Sequence, residues 1–286
     1  MKKFGITALL AVALVLAVTV ARKSEDETQT EAVATRVFHT PSANSQTDDP
    51  AEGNDSWKQA AEGLEIPHYE SSRGGQLISH TGFTLSYDAD FKTPQWVAWQ
   101  LTAEKAAGEE PRADSFSPDP EVRGAKAYPQ DYTNSGYDRG HMAPAGDMKW
   151  SRQAMQESFY MTNICPQNRN LNRGDWKDLE ELERTWATRH GTVYIVAGPM
   201  YTRKNPPRIG NHKVAVPDSF FKVLLVAGGA EPQAYAFVFR NEAGSRPLKS
   251  YQHTVDEVEE LTGIDFFPAL PDGVEARVEA ALNLLD

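Results

Sequence analysis

The run Tyr137-Asp138-Arg139-Gly140-His141-Met142-Ala143-Pro144 is dense in side chains that can do chemistry. An imidazole with an ordinary pKa of about 6.5 offers a neutral ring near pH 7, so His141 can take a proton from a water molecule. The guanidinium of Arg139 can clamp phosphoryl oxygens through paired hydrogen bonds. Further on stand Thr162-Asn163-Ile164-Cys165-Pro166-Gln167 and Leu171-Asn172-Arg173-Gly174-Asp175-Trp176-Lys177-Asp178-Leu179-Glu180. The amide oxygen of Asn172 is a hard, neutral donor of the kind Mg²⁺ accepts while keeping several of its waters. Read as structure alone, the same residue is a turn or cap before a helix. Glu180 follows Asn172 by two helical turns and Arg184 follows Glu180 by one, so a helix over this region aligns all three on one flank. Without a task, Glu180 and Arg184 are an i,i+4 surface ion pair of little energetic weight. An activated water, a cation site and an anion clamp are together what hydrolysis of a phosphate ester requires.

These blocks, in this order and spacing, resemble the DNA/RNA non-specific endonuclease family, whose hallmark is the Asp-Arg-Gly-His element. The resemblance runs from about Ile66 through Pro268 and takes in Leu261-Thr262-Gly263-Ile264-Asp265-Phe266-Phe267. It implies a ββα-metal (His-Me finger) fold in which a strand bearing His141 and a helix beginning near Asn172 meet around one Mg²⁺, with Mn²⁺ as the alternative ion. By the same resemblance His141 is the general base, Asn172 the metal ligand and Glu180 the holder of metal-bound water. Arg139 and Arg184 stabilise the charged phosphate. Asn163 is a supporting polar position, Gln167 serves the motif or its packing, and Asp138 orders the surrounding backbone or Arg139. The neighbouring Arg169 and Arg173 could contact substrate backbone, although exposed arginines usually do nothing so specific. The implied substrates are DNA and RNA, cut with weak sequence preference because phosphate contacts carry little base information. A homodimer is compatible with this reading. Two alternatives stay open: a phosphodiesterase of small nucleotides, and a catalytically silent nucleic-acid-binding module on the same fold. No HExxH, paired CxxC or EF-hand loop appears.

The elements that must position these residues are mostly short strands. Gln76–His80, Thr84–Tyr87, Trp96–Leu101, Phe159–Asn163, Thr192–Ala197, Phe220–Val226 and Ala234–Phe239 are brief β-branched or aromatic runs bounded by Gly, Pro or Asn. Helices are expected at Ser151–Glu157, at Asp175–His190 and twice near the C-terminus. In the longest, Trp176, Leu179, Leu182 and Trp186 form a core-facing stripe, and Gly191 stands where a C-cap belongs. Thr254-Val255-Asp256-Glu257 has capping-box spacing and Gly263 closes that helix. Mixed strands with few, separated helices predict an α+β fold with a mixed or antiparallel sheet.

A net charge of −11 is unexpected for a binder of polyanions. Its distribution relaxes the objection, since Arg123 to Lys213 carries 14 Lys and Arg against 9 Asp and Glu. A lone cysteine excludes an internal disulfide, and Cys165, between Ile164 and Pro166, reads as a small buried hydrophobe rather than a nucleophile. His39, His68, His80, His190, His212 and His253 carry no motif and are expected to do structural work only. Met1-Lys2-Lys3, the apolar run Phe4 to Val20 and the small residues ending at Ala21 predict a signal peptide over 1–21 and hence an exported protein, periplasmic or secreted. An uncleaved anchor is the alternative, because the run approaches the roughly 18 residues that can span a bilayer. Without such an anchor no membrane partner is expected. Residues 22–63, rich in Ser, Thr, Asp, Glu and Ala, read as a polar, acidic linker, leaving 64–286 as one nuclease domain.

Overall fold

The computed structural model describes residues 63–72 and 74–285. The expected leader at 1–21 and the linker at 22–63 therefore fall outside the described residues, apart from Gly63. Among the described residues the chain runs β1 (Gln76–Ser79), β2 (Thr84–Asp88), β3 (Thr93–Thr102), α1 (Ala103–Ala106), β4 (Asp138–His141), α2 (Arg152–Glu157), β5 (Ile164–Gln167), α3 (Arg169–Arg173), α4 (Asp175–His190), β6 (Thr192–Met200), β7 (Arg208–Ile209), β8 (Val214–Ala215), β9 (Ser219–Val226), β10 (Gln233–Arg240), β11 (Gln252–His253), α5 (Val255–Thr262) and α6 (Asp272–Glu279). No helix among them is long and apolar enough to cross a membrane.

Seven strands form one sheet in the order β1-β2-β3-β6-β9-β10-β11, every neighbouring pair antiparallel. Its central strands are apolar almost throughout because both faces are covered, which removes the usual alternation of an antiparallel sheet. Side chains on β9 show the division. Phe220 and Leu224 enter one core with Trp176, Leu179 and Ala187 of α4. Phe221, Val223 and Leu225 enter the other, with Val255 and Val258 of α5 and Val274 and Val278 of α6. The result is a three-layer α+β arrangement, as expected, with an antiparallel sheet in the middle. Burial of each large apolar side chain favours this state by roughly 1.5–3 kcal/mol. α5 begins with the expected capping box between Thr254 and Glu257 and ends at Gly263 in the left-handed region, φ 70°.

Two local expectations change. Phe159–Asn163 is not a strand: Met161–Asn163 is a 3₁₀ turn and the strand starts at Ile164. The α4 stripe also differs, since Glu183 is fully buried whereas Leu182 and Trp186 are only half-buried. A carboxylate thus occupies the place where leucine was expected, and a partner on β9 makes this tolerable.

Candidate active site

β4 and β5 form a separate two-stranded hairpin that pairs Asp138 with Gln167, Gly140 with Cys165 and His141 with Ile164. Gly140 admits the Gln167 side chain: a Cβ there would lie 2.2 Å from Gln167 Oε1 and 2.6 Å from its Cβ. The turn before β5 grips the chain just past β4. Asn163 Oδ1 accepts from the Ala143 backbone N–H at 2.9 Å, and Asn163 Nδ2 donates to the carbonyls of Ala143 at 2.8 Å and Ser158 at 2.9 Å. Three bonds from one fully buried amide hold the strand end that carries His141. They also explain why these residues leave the extended conformation, because a side chain that serves two backbone groups competes with a ladder.

Asn168 caps α3 by accepting from the Asn170 N–H at 2.9 Å, and α3 carries Asn172. Gly174 then breaks the path with φ −114° and ψ −114°, so α3 and α4 are two helices rather than one. The single flank predicted for Asn172, Glu180 and Arg184 does not exist. The three nevertheless converge, with His141 and Arg139, on one cleft of about 310 Å³. Arg112, Arg173 and Lys177 complete its cationic rim.

His141 is buried between the rings of Phe116 and Phe159, at centroid distances of 5.4 and 4.9 Å. Its Nε2 is enclosed without a hydrogen-bond partner. Burial, and secondarily the charge of Arg112, lower its pKa to about 3, so the imidazole is neutral at physiological pH. Asn172 Nδ2 donates to Asp138 Oδ2 at 3.3 Å, which turns its amide oxygen away from Asp138. Burial raises the Glu180 carboxyl to about 7; Asp147 pushes the same way, while Lys222, Arg184 and Arg112 oppose it. Arg139 donates through Nη2 to the Pro129 carbonyl at 2.6 Å and lies over Phe116 and Tyr132.

Three predicted residues stand behind the cleft rather than in it. Asn163 and Gln167 are fully buried supports of the hairpin. Asp138 does not order Arg139; it binds Arg173 Nε at 2.8 Å, Arg169 Nε at 3.4 Å and Asn172. Burial alone would raise its pKa, but those hydrogen bonds and charges hold it below the ordinary carboxylate range. Arg169 and Arg173 are therefore tied at Nε to a carboxylate. Nor do Glu180 and Arg184 pair: Arg184 Nη1 donates to Asp147 Oδ1 at 2.9 Å, and Gly146 leaves room for that guanidinium.

Sequence reasoning missed the floor beneath these groups. Asp147 is buried and also accepts from Trp99 Nε1 at 3.0 Å. Glu183 and Lys222, both wholly buried, lie 2.8 Å apart, with the ammonium over the Trp176 ring at 4.3 Å. The signal was available, since Lys222 interrupts the apolar run Phe220 to Val226. Arg112 precedes every motif and gave no signal. Cys165 is buried with its thiol pKa pushed up by burial, as suits a packing residue. Of the other histidines, His80 pairs with Asp119 at 2.9 Å, His212 with Asp131 at 3.0 Å and His253 with Glu257 at 3.1 Å.

The family model of the DNA/RNA non-specific endonucleases matches residues 60–273. The chain belongs to that family. It is 38% identical over 221 residues to the mitochondrial nuclease EXOG of Mus musculus, covering 71% of this chain and 60% of the mouse protein. It is 32% identical over 218 residues to the mitochondrial endonuclease G of Homo sapiens, covering 71% of this chain and 73% of that one. A solved structure of an EndoG/EndoGI complex superposes with a TM-score of 0.67 at 27% identity, over 78% of this chain and 95% of the other. The ββα-metal architecture expected from the motifs is thus the one found. The chain spans less than two thirds of the mouse relative's length.

Export is not upheld. The mouse and human relatives are mitochondrial nucleases, and the residues read as a leader lie outside the described residues. A basic start with an apolar run marks a segment that partitions into a membrane; it does not say which membrane.

Proposed function

We propose that the chain is a Mg²⁺-dependent, sugar-nonspecific endonuclease that hydrolyses phosphodiester bonds in DNA and RNA. The observation that carries this reading is the convergence of an unpartnered, neutral imidazole, an amide oxygen and a carboxylate within a rim of five cationic side chains, Arg112, Arg139, Arg173, Lys177 and Arg184. The donor set fits a hard divalent ion: the Asn172 amide nitrogen is engaged by Asp138, which leaves its oxygen for coordination, and Glu180 makes no hydrogen bond to a described residue. Mn²⁺ fits the same donors. When bound, the ion would neutralise phosphoryl charge and supply acidic water for the departing oxygen.

The rest falls to the chain's own residues. Arg139 and Arg184 hold the phosphoryl oxygens, and their fixed partners, Pro129 and Asp147, keep them in place before substrate arrives. With Nε2 enclosed, His141 takes the water proton at Nδ1 as that water attacks phosphorus and the phosphorus–oxygen bond of the leaving nucleotide breaks. An imidazole held near pKa 3 is a weak base. An anionic phosphate beside Arg112 offsets the smaller of the two causes and adds a negative charge of its own, raising the proton affinity of the ring at the moment of use. Glu180, which is ionised above about pH 7, would accept hydrogen bonds from water held by such an ion.

Nicking of supercoiled plasmid and degradation of RNA by the full chain with Mg²⁺ test this reading. His141→Ala should lower both rates by about 10²- to 10⁴-fold, and EDTA should abolish them. Activity that survives either treatment defeats the mechanism. Binding of both polymers without cleavage would leave a silent binding module, and cleavage of dinucleotides alone would leave a small-substrate phosphodiesterase.

A further inference from the structure

On the opposite face of the sheet from the cleft, α5 and α6 bring together three carboxylates. Asp256, Glu259 and Glu279 each present an oxygen, and these oxygens lie within 4.8 Å of one another. Their exposures differ: Asp256 is open to solvent, Glu259 is half-buried and Glu279 is only 7% exposed. Glu279 Oε1 is enclosed with no hydrogen-bond partner. None of the three forms an ion pair with a described residue; the nearby Arg277 is taken by Glu231 and His253 by Glu257. Glu279 is also the last residue of α6, where the negative end of the helix dipole opposes another negative charge.

The geometry points to a structural calcium site that ties α5 to α6 through Asp256, Glu259 and Glu279. The site is separate from the proposed catalytic centre and does not depend on it. Calcium accepts several carboxylate oxygens at about 2.3–2.6 Å in flexible geometry, so an ion among these oxygens can reach all three. One ligand is already oriented, because Glu259 Oε1 accepts from the Phe266 backbone N–H at 2.7 Å. The exposed Asp256 leaves the site open to an entering ion and to its water. Burial, reinforced by Glu275, Asp265 and the cluster's own members, raises Glu259 to about 7 and Glu279 to about 8. A cation relieves the same repulsion.

The test is the unfolding temperature of the full chain in CaCl₂ against EDTA, with calorimetric titration of CaCl₂. Calcium at a hundredfold excess over its dissociation constant should raise the unfolding temperature by about 5 °C or more. Asn172→Ala, which removes the ligand proposed in the cleft, should keep that rise. Asp256→Asn and Glu279→Gln should each lose most of it. Asp256 is exposed, so its variant reports even if Glu279→Gln disturbs packing. A rise that persists in Asp256→Asn, vanishes in Asn172→Ala or is absent from the parent overturns the site.

Discussion

Buried carboxylates lie on both faces of the central sheet, but their company differs. Beneath the cleft, Asp147 is met by Arg184 and Trp99, and Glu183 by Lys222. Between α5 and α6, Asp256, Glu259 and Glu279 meet, among the described residues, one another, the like charges of Asp265 and Glu275, and a backbone N–H. The two sets therefore differ in company as well as in burial, since only Glu279 of the second is as enclosed as Asp147 and Glu183. The first set is met by cations of the chain itself, and Asp147 holds the Arg184 guanidinium at the cleft. The second is stable as a charged set only with something added from outside.

Removing the internal counterion should have the largest effect. Lys222→Met leaves Glu183 buried without its cation, with an expected loss on the order of 3–5 kcal/mol in chemical denaturation. Combining it with Glu183→Gln should recover most of that loss. If the single variant loses less than about 1 kcal/mol, the floor is not held by pairing and the contrast between the faces disappears. Behind the cleft, Asp138→Ala tests a carboxylate of intermediate character. It should weaken Mg²⁺ affinity by about 10- to 100-fold, because Asn172 loses its orienting partner, while the loss of the charged hydrogen bonds to Arg173 and Arg169 lowers stability by about 1.5–3 kcal/mol. Equal Mg²⁺ titration curves for parent and variant would show that Asn172 needs no such support. The smallest effect belongs to the unpaired face: in calcium-free buffer Asp256→Asn should change stability by no more than about 0.5 kcal/mol, because relief of like charges is offset by loss of a carboxylate from the first turn of α5. A clear loss of stability would mean that Asp256 has a partner within the fold.

The sequence was most readable where local chemistry and long-range packing agree. β2, β3, β6, β9, β10 and α4 lie close to their predicted positions because apolar runs bounded by turn residues also become the covered layers of the sheet. Reading failed where one side chain outweighs propensity. Phe159 to Asn163 has strand-like composition, yet the Asn163 amide takes the backbone groups around Ala143 and Ser158 and the segment turns instead. Gly174 split what looked like continuous helical spacing, so the site converges by a route different from the predicted one. His141, Arg139 and Asn172 lie in dense motifs, whereas Glu180 and Arg184 stand out only through the resemblance; the fold brings all five to one cleft. Arg112, Asp147 and Lys222 come from separate parts of the chain, and only folding shows that they share a site.

The contact between Gly140 and Gln167 bears on how the four-residue signature should be searched for in other chains. A Cβ at 140 would meet the Cβ of Gln167 at 2.6 Å, and any residue but glycine at 167 keeps that atom. The glycine is therefore spelled by shape, whereas on the proposed mechanism the histidine beside it is spelled by reactivity. A descendant that had abandoned catalysis would be free to lose the second letter and still be compelled to keep the first. In a catalogue of such sequences, position 140 would count the inheritors of the hairpin, and position 141 would separate those that still cut.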